Sequence, residues 1–241
     1  MNRWAVAAGA AGLTVAAAHA LPAAAFWPPL RRALAPGLAG IGHPGHVALT
    51  FDDGPHPEAT PRFLAALDKH HVRATFFLLG SQLANQPTLV REMHAAGHEL
   101  ALHGWHHRRM VWYGPKRTYD EMARGRDLLG CITGTAPTWF RPPYGVLTSS
   151  ALVAARRLNL RPVLWTCWGW DWSDKSTPDS VLRTVTRGLS GGGTVLLHDS
   201  DVAADSGAWR STLGALPALL DECAARGLTV GPLAEHAVLG R

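Results

Sequence analysis

The amino-acid sequence predicts an α/β fold built on a parallel sheet, and three observations carry that expectation. Short apolar runs recur along the chain, segments with helical patterning separate them, and the clusters best suited to chemistry mostly fall just after the runs. The strand-like runs lie near Val47–Phe51, Ala74–Leu79, Glu99–Leu102, Thr138–Phe140, Pro162–Trp165, Thr194–Leu197 and Thr229–Val230. Between them Pro61–Lys69, Gln82–Ala96, Tyr119–Leu129, Ser149–Leu158 and Leu213–Arg226 read as helices. Strands alternating with helices argue for parallel pairing, and parallel α/β proteins place their sites beyond the strand ends. The pattern by itself leaves open both a doubly wound sheet and a barrel. With 241 residues, 47% of them hydrophobic, the chain can bury one sizeable core, and no internal repeat marks a second domain.

The first element is an N-terminal stretch of different character. Arg3 is followed by Trp4 to Leu30 without a single Asp, Glu, Lys or Arg, and Arg31 and Arg32 close the run. A basic residue, an Ala-rich apolar run and Ala18-His19-Ala20 suit a signal peptide with an Ala-x-Ala cleavage site. The run is also long enough to be kept as a membrane anchor, which takes about 20 apolar residues. Either reading puts the folded domain outside the cytoplasm.

The first strand ends in Thr50-Phe51-Asp52-Asp53-Gly54-Pro55. Adjacent side chains on a strand point to opposite sides. At its end, where Gly54-Pro55 turns the chain, Asp52 and Asp53 can flank one pocket and take different tasks. Two neighbouring carboxylates repel unless a cation or a shared proton relieves them. The third strand leads into His103-Gly104-Trp105-His106-His107. His103 and His107 are spaced to share a helical face or a tight loop, with His106 a competing ligand. Two neutral imidazoles and a carboxylate can hold a divalent cation that keeps a position open for water, which suits hydrolysis.

With these two motifs the chain resembles the polysaccharide deacetylases of carbohydrate esterase family 4, over roughly residues 43 to 236. The resemblance implies a distorted (β/α) barrel of seven strands, with residues 1–42 a signal peptide or anchor plus linker and residues 43–241 the catalytic domain. It makes Asp52 the general base and Asp53, His103 and His107 the metal ligands. Gly104 stands where the family carries a hydroxyl residue that braces the loop. Arg141-Pro142-Pro143-Tyr144-Gly145 matches a third motif: a guanidinium at Arg141 can hold the base carboxylate ionised, and the family gives the Tyr144 backbone N–H the oxyanion role. Leu196-Leu197-His198 matches a fifth, with His198 the general acid and Leu196 lining the acetyl pocket. Trp172 matches as an apolar wall. Relatives often carry an Asp four residues before that Trp to brace the histidine. Here Trp168 stands at that place, so the brace is expected to be missing and, with a backbone as in relatives, Asp171 to point elsewhere, unless Asp171, Asp199 or Asp201 substitutes for it.

The activity implied is metal-dependent removal of N-acetyl groups from an amino-sugar polymer, peptidoglycan or a chitin-like glycan. Zinc is favoured by ligand type, while cobalt or nickel could fill the same set. Three other readings share these residues: an O-acetyl esterase acting on a xylan-type polysaccharide, an inactive glycan-binding relative, and a cytosolic amidase of small sugars. The net charge of +5 and pI near 9.6 favour an anionic neighbourhood. No basic stripe interleaved with aromatics points to nucleic acid. Cys131, Cys167 and Cys223 lack metal-type spacing and are expected to be buried thiols.

Overall fold

The computed structural model describes residue 14 and residues 16–239. Arg3 and the opening of the uncharged Trp4–Leu30 run therefore lie outside the described residues. Eight strands form: β1 (His46–Asp52), β2 (Thr75–Leu78), β3 (Glu99–Leu102), β4 (Trp139–Phe140), β5 (Arg161–Pro162), β6 (Cys167–Trp168), β7 (Thr194–His198) and β8 (Thr229–Gly231). Every pairing is parallel. Seven strands follow one path, β5-β4-β3-β2-β1-β7-β6, while β8 pairs with β1 off that path. The sheet curls into the expected seven-stranded half-barrel. Its membership differs from the sequence reading, because Cys167–Trp168 belongs to the path and Thr229–Gly231 does not.

β1 is buried along its whole length, so its two faces separate by pleat and not by polarity. Val47, Leu49 and Phe51 point outward and join Phe76, Leu78, Val195 and Leu197 in the main core. The first helix, α1 (Pro28–Leu34), bonds through Arg31 and Arg32 to the Trp165 and Thr166 carbonyls. Helices cover the outer face: α2 (Ala59–Lys69), α3 (Gly80–Asn85), α4 (Pro87–Ala95), α5 (Pro115–Thr133), α6 (Ser149–Arg157), α7 (Pro178–Gly188) and α8 (Trp209–Ala225) succeed one another along the chain. Phe63 and Leu67 of α2, Val90 and Met93 of α4, Val181 and Val185 of α7 and Trp209 and Leu219 of α8 fill the interface. The alternate residues Ala48, Thr50 and Asp52 face the concave side. There Ala48 packs with Phe77 and Ala101, and Arg141 lies 4.0 Å over the Phe77 ring.

The α1 helix was expected within the leader and linker. It packs instead onto the domain, with the Arg31 side chain only 2% exposed. Among the described residues no helix is long and apolar enough to cross a membrane. The three cysteines are free; Cys167 and Cys223 are buried as expected, but Cys131 is exposed on α5.

Candidate active site

Asp52 and His198 close the inner faces of β1 and β7 and are register partners on neighbouring strands. The strand pleat would send the next residue of β1 outward. Asp53 escapes that rule with a left-handed backbone, φ 76°, which turns its carboxylate to the same end of the sheet. Asp53 is buried, and its Oδ1 lies 3.3 Å from His103 Nε2 and 3.5 Å from His107 Nε2. His103 Nδ1 lies 2.8 Å from the Arg141 carbonyl. That oxygen can only accept, so Nδ1 carries the proton and Nε2 presents a lone pair toward Asp53.

These three groups fit a cation. Their ligand atoms lie within 4.8 Å of one another. Asp53 Oδ1 is buried without a hydrogen-bond partner, and a buried acceptor facing imidazole lone pairs is costly unless a positive charge sits between them. Burial opposes charge on Asp53, yet the neighbouring His103 and His107 imidazoles hold its carboxyl below the usual range. Burial pulls His107 down to about 4 against the attraction of Asp53, which keeps the ring neutral as a ligand must be. His106 is exposed and does not join the set.

Gly104 takes φ +89°, a conformation costly for a residue with a Cβ. Its carbonyl accepts from Gly80 N–H at 2.9 Å, and Trp105 O accepts from Ser81 N–H at 2.9 Å. The ligand loop is thus pinned by backbone to the first turn of α3, without the hydroxyl brace of relatives.

Arg141 is fully buried and reaches Asp52 Oδ1 at 2.7 Å and Thr50 Oγ1 at 2.8 Å through one nitrogen. Its other terminal nitrogen donates to Leu164 O at 2.8 Å. Burial lowers its pKa, and the adjacent Asp52 carboxylate opposes that. Tyr144 adopts φ 59°, and its ring stands 4.2 Å from that of His107, with the Arg109 guanidinium 5.0 Å over it.

The brace of His198 corrects the sequence reading. Trp168 pairs in register with Leu196 and stacks on Trp165 at 5.6 Å, far from a bracing role. Trp170 then takes φ 54°, and after this left-handed step Asp171 turns inward. Its Oδ1 lies 2.9 Å from His198 Nδ1, and its Oδ2 accepts the His198 backbone N–H at 2.8 Å and Thr212 Oγ1 at 2.6 Å. The carboxylate immediately preceding Trp172 was the available signal. Burial would discharge His198, but the Asp171 carboxylate outweighs it and keeps the ring protonated above its ordinary range. Behind it Asp199, wholly buried, is pushed up to about 7 by burial, while Thr60 Oγ1 donates to it at 2.5 Å. A Cβ at position 54 would fall 2.7 Å from the Asp199 carboxylate, so Gly54 is required by close approach as well as by the turn.

Asp52, Asp53, His103, His107, Tyr144, Trp172, Leu196 and His198 all open on one cavity of about 730 Å³. Arg141 stands behind Asp52. Sequence reasoning missed other lining residues: Phe26 from the N-terminal segment, Arg109 and Trp112 from the loop after His107, and Trp165, Trp168 and Trp170.

A curled parallel sheet with paired carboxylates and histidines at its C-terminal edge defines a hydrolase of the carbohydrate esterase type. The family profile described as polysaccharide deacetylase matches residues 40–163, and the chain belongs to that family. It is 34% identical to a chitooligosaccharide deacetylase of Bradyrhizobium over 194 residues, 78% of this chain and 88% of the relative. By contrast it spans 32% of the length of some longer peptidoglycan deacetylases that it matches. Among solved structures, a peptidoglycan N-acetylglucosamine deacetylase superimposes with TM-score 0.79 at 27% identity, covering 87% of this chain and 97% of that one. A family pseudoenzyme from Bacillus anthracis superimposes with TM-score 0.74 at 27% identity, covering 82% and 67%. Enzyme and pseudoenzyme share the fold, so activity has to be argued from the site.

Proposed function

We propose that this chain is a metal-dependent deacetylase that removes N-acetyl groups from an amino-sugar polymer outside the cytoplasm. The observation that carries the reading is a carboxylate and an imidazole at paired positions of neighbouring strands, each held by a buried group of opposite charge. Asp52 is held by a buried guanidinium, and His198 is held protonated by Asp171. A carboxylate that can accept a proton and an imidazole that carries one, side by side at one cavity, are equipped as base and acid.

A divalent cation held by Asp53, His103 and His107 supplies Lewis acidity toward an acetyl carbonyl and a nearby water. Asp52 accepts the proton of the attacking water, and Arg141 holds that carboxylate in place through a 2.7 Å contact. The backbone N–H of Tyr144 is suited to steady the developing oxyanion. His198 delivers its proton through Nε2 to the departing amine, since Nδ1 is committed to Asp171. Leu196 and Trp172 give the acetyl methyl an apolar seat. An amine leaves poorly unless protonated, so a strongly loaded acid favours the amide over the O-acetyl ester. Zinc suits the ligand types best, and the names of the relatives support both chitin-like and peptidoglycan substrates.

Acetate release is the test, measured on N-acetylglucosamine oligomers, peptidoglycan and O-acetylated xylan, before and after chelation and after adding back zinc, cobalt or nickel. Chelation is expected to abolish release, and metal to restore it on the N-acetylated substrates first. Asp53→Ala should lose metal, whereas Asp52→Asn should keep it and lose turnover by about 100-fold or more. Full activity in a verified metal-free preparation overturns the reading. The uncharged run from Trp4 to Leu30 supports export by signal peptide or anchor, and fractionation of the producing cell should find the protein in membrane, wall or medium.

A further inference from the structure

The curled sheet is open between β5 and β6, where residues 163–166 run from one strand to the other. A stretch of backbone between two edge strands leaves carbonyls that need donors. Here guanidinium groups provide them. Arg141 donates to Val163 O at 3.4 Å and to Leu164 O at 2.8 Å. Arg31 donates to Trp165 O at 2.6 Å and Arg32 to Thr166 O at 2.5 Å. Four successive carbonyls are thus taken by three arginines, two of them from α1.

The buried Arg31 also reaches back along its own segment. The nitrogen not used for Trp165 donates to Ala25 O at 2.7 Å and Phe26 O at 3.3 Å. One side chain therefore ties the backbone of Phe26 to that of Trp165. Both aromatic residues line the cavity, and Phe26 lies across Gly145, where an added Cβ would meet its ring at 3.4 Å and that of Trp165 at 2.6 Å. Phe26 keeps 46% of its surface exposed, so its ring is available to a ligand. Among the described residues Arg31 has no carboxylate partner, and burial together with Arg32 and Arg141 pulls it down to about 10. A buried cation retained at that cost, bonded only to carbonyls, marks a fixed joint.

We propose that residues Leu21–Leu34 are a working part of the substrate cleft: Arg31 clamps this strap across the sheet seam, and Phe26 is a specificity-determining wall that holds a pyranose ring next to the reacting sugar. The inference rests on the glycan-deacetylase reading for the nature of the ligand. An aromatic face beside a carbohydrate excludes water from the apolar C–H side of the ring and leaves the hydroxyl edge solvated. A monosaccharide or small acetyl ester does not reach that wall, whereas an oligomer does. Phe26 and Arg31 are positioning residues, since neither touches the reacting atoms.

The full chain carrying Phe26→Ala, Arg31→Met or Arg31→Lys is compared with wild type by metal content, by calorimetric affinity for a pentamer of N-acetylglucosamine, and by kcat and KM on the monosaccharide and the pentamer. For Phe26→Ala we expect pentamer KM and Kd to rise roughly fivefold to tenfold, with kcat, monosaccharide kinetics and bound metal held within twofold. Arg31→Met should give the same shift together with faster hydrogen exchange over residues 163–168, and Arg31→Lys a smaller change of both. Should Arg31→Met not fold, Phe26→Ala, at a half-exposed position, still decides. If Phe26→Ala binds and turns over the pentamer as wild type does, or if wild type does not bind the pentamer, the proposal fails. Loss of pentamer affinity in Phe26→Ala, beside a wild type that binds but releases no acetate, upholds the strap while removing the deacetylase reading.

Discussion

Asp171 decides how the proposed acid behaves. A group that donates a proton works only while loaded, so activity falls as pH rises through the His198 pKa. Burial lowers that pKa and Asp171 raises it by more, which extends the working range upward. Asp171→Asn removes the carboxylate charge but keeps the shape. It should move the alkaline limb of the pH–rate profile to lower pH and cut kcat by about 100-fold or more. Trp168→Asp, by contrast, should leave that limb in place, because the bracing site is already filled and Trp168 lies on the cleft wall. A rise of the limb in Trp168→Asp would count against this assignment. Counting residues backward from Trp172 could not find the brace, since one left-handed residue at Trp170 changes where every later side chain points.

At the scale of elements, legibility followed length and burial. β1, β2, β3 and β7 are apolar runs of four residues or more and were read within a residue or two. β6 is two residues long inside a run of tryptophans, so no periodicity could separate it from loop. The expected helix Gln82–Ala96 is two helices because Pro87 cannot donate an N–H and starts a new one. α7 escaped notice among polar residues, although Thr177-Pro178 is a strong start signal. Thr177 Oγ1 accepts from Ser180 N–H at 3.2 Å, and Ser180 Oγ accepts from Thr177 N–H at 2.9 Å. Thr177→Ala should therefore cost about 1 kcal/mol of stability, read from the midpoint of chemical denaturation, with the pentamer KM unchanged. The catalytic positions were more legible than the elements holding them. Asp52, Asp53, His103, His107, Arg141 and His198 stand in compact motifs, whereas Arg31 and Phe26 act through contacts more than 100 residues away in sequence.

For the whole molecule, buried titratable groups set the response to acid. His98 accepts the Ala74 N–H at Nδ1, and His236 shares a 2.8 Å bond with His46 beneath the sheet. Burial pulls His98 and His236 to about 4. The unfolded chain takes up protons at these histidines from about 6.5 downward, so their contribution declines as pH falls from 6.5 to 4 and is constant above. Asp199 acts in the opposite sense: held protonated up to about 7 by burial, it favours the folded state less as pH rises from 4 to 7. His98→Asn should flatten the fall of stability between pH 6.5 and 4, and Asp199→Asn should steepen it. Denaturation midpoints across that range check both signs, and parallel curves for all three proteins would refute the assignment.

The proposed base and the proposed acid end adjacent strands at paired register positions, Asp52 opposite Asp171-braced His198. Their separation is fixed by the hydrogen-bond ladder, whose strands lie about 4.8 Å apart. Other residues that line the cavity, such as Arg109, Trp112, Trp170 and Ala203, come from connecting segments. On the proposed reading, reaction and diet are separable in this fold: loops can drift toward new glycans while proton traffic stays as it was. Variants randomised at Arg109, Val111, Trp112 and Ala203, selected for altered oligosaccharide preference, should all keep the wild-type pH–rate limbs; limbs that travel with preference would mean that the loops, and not the ladder, set the chemistry.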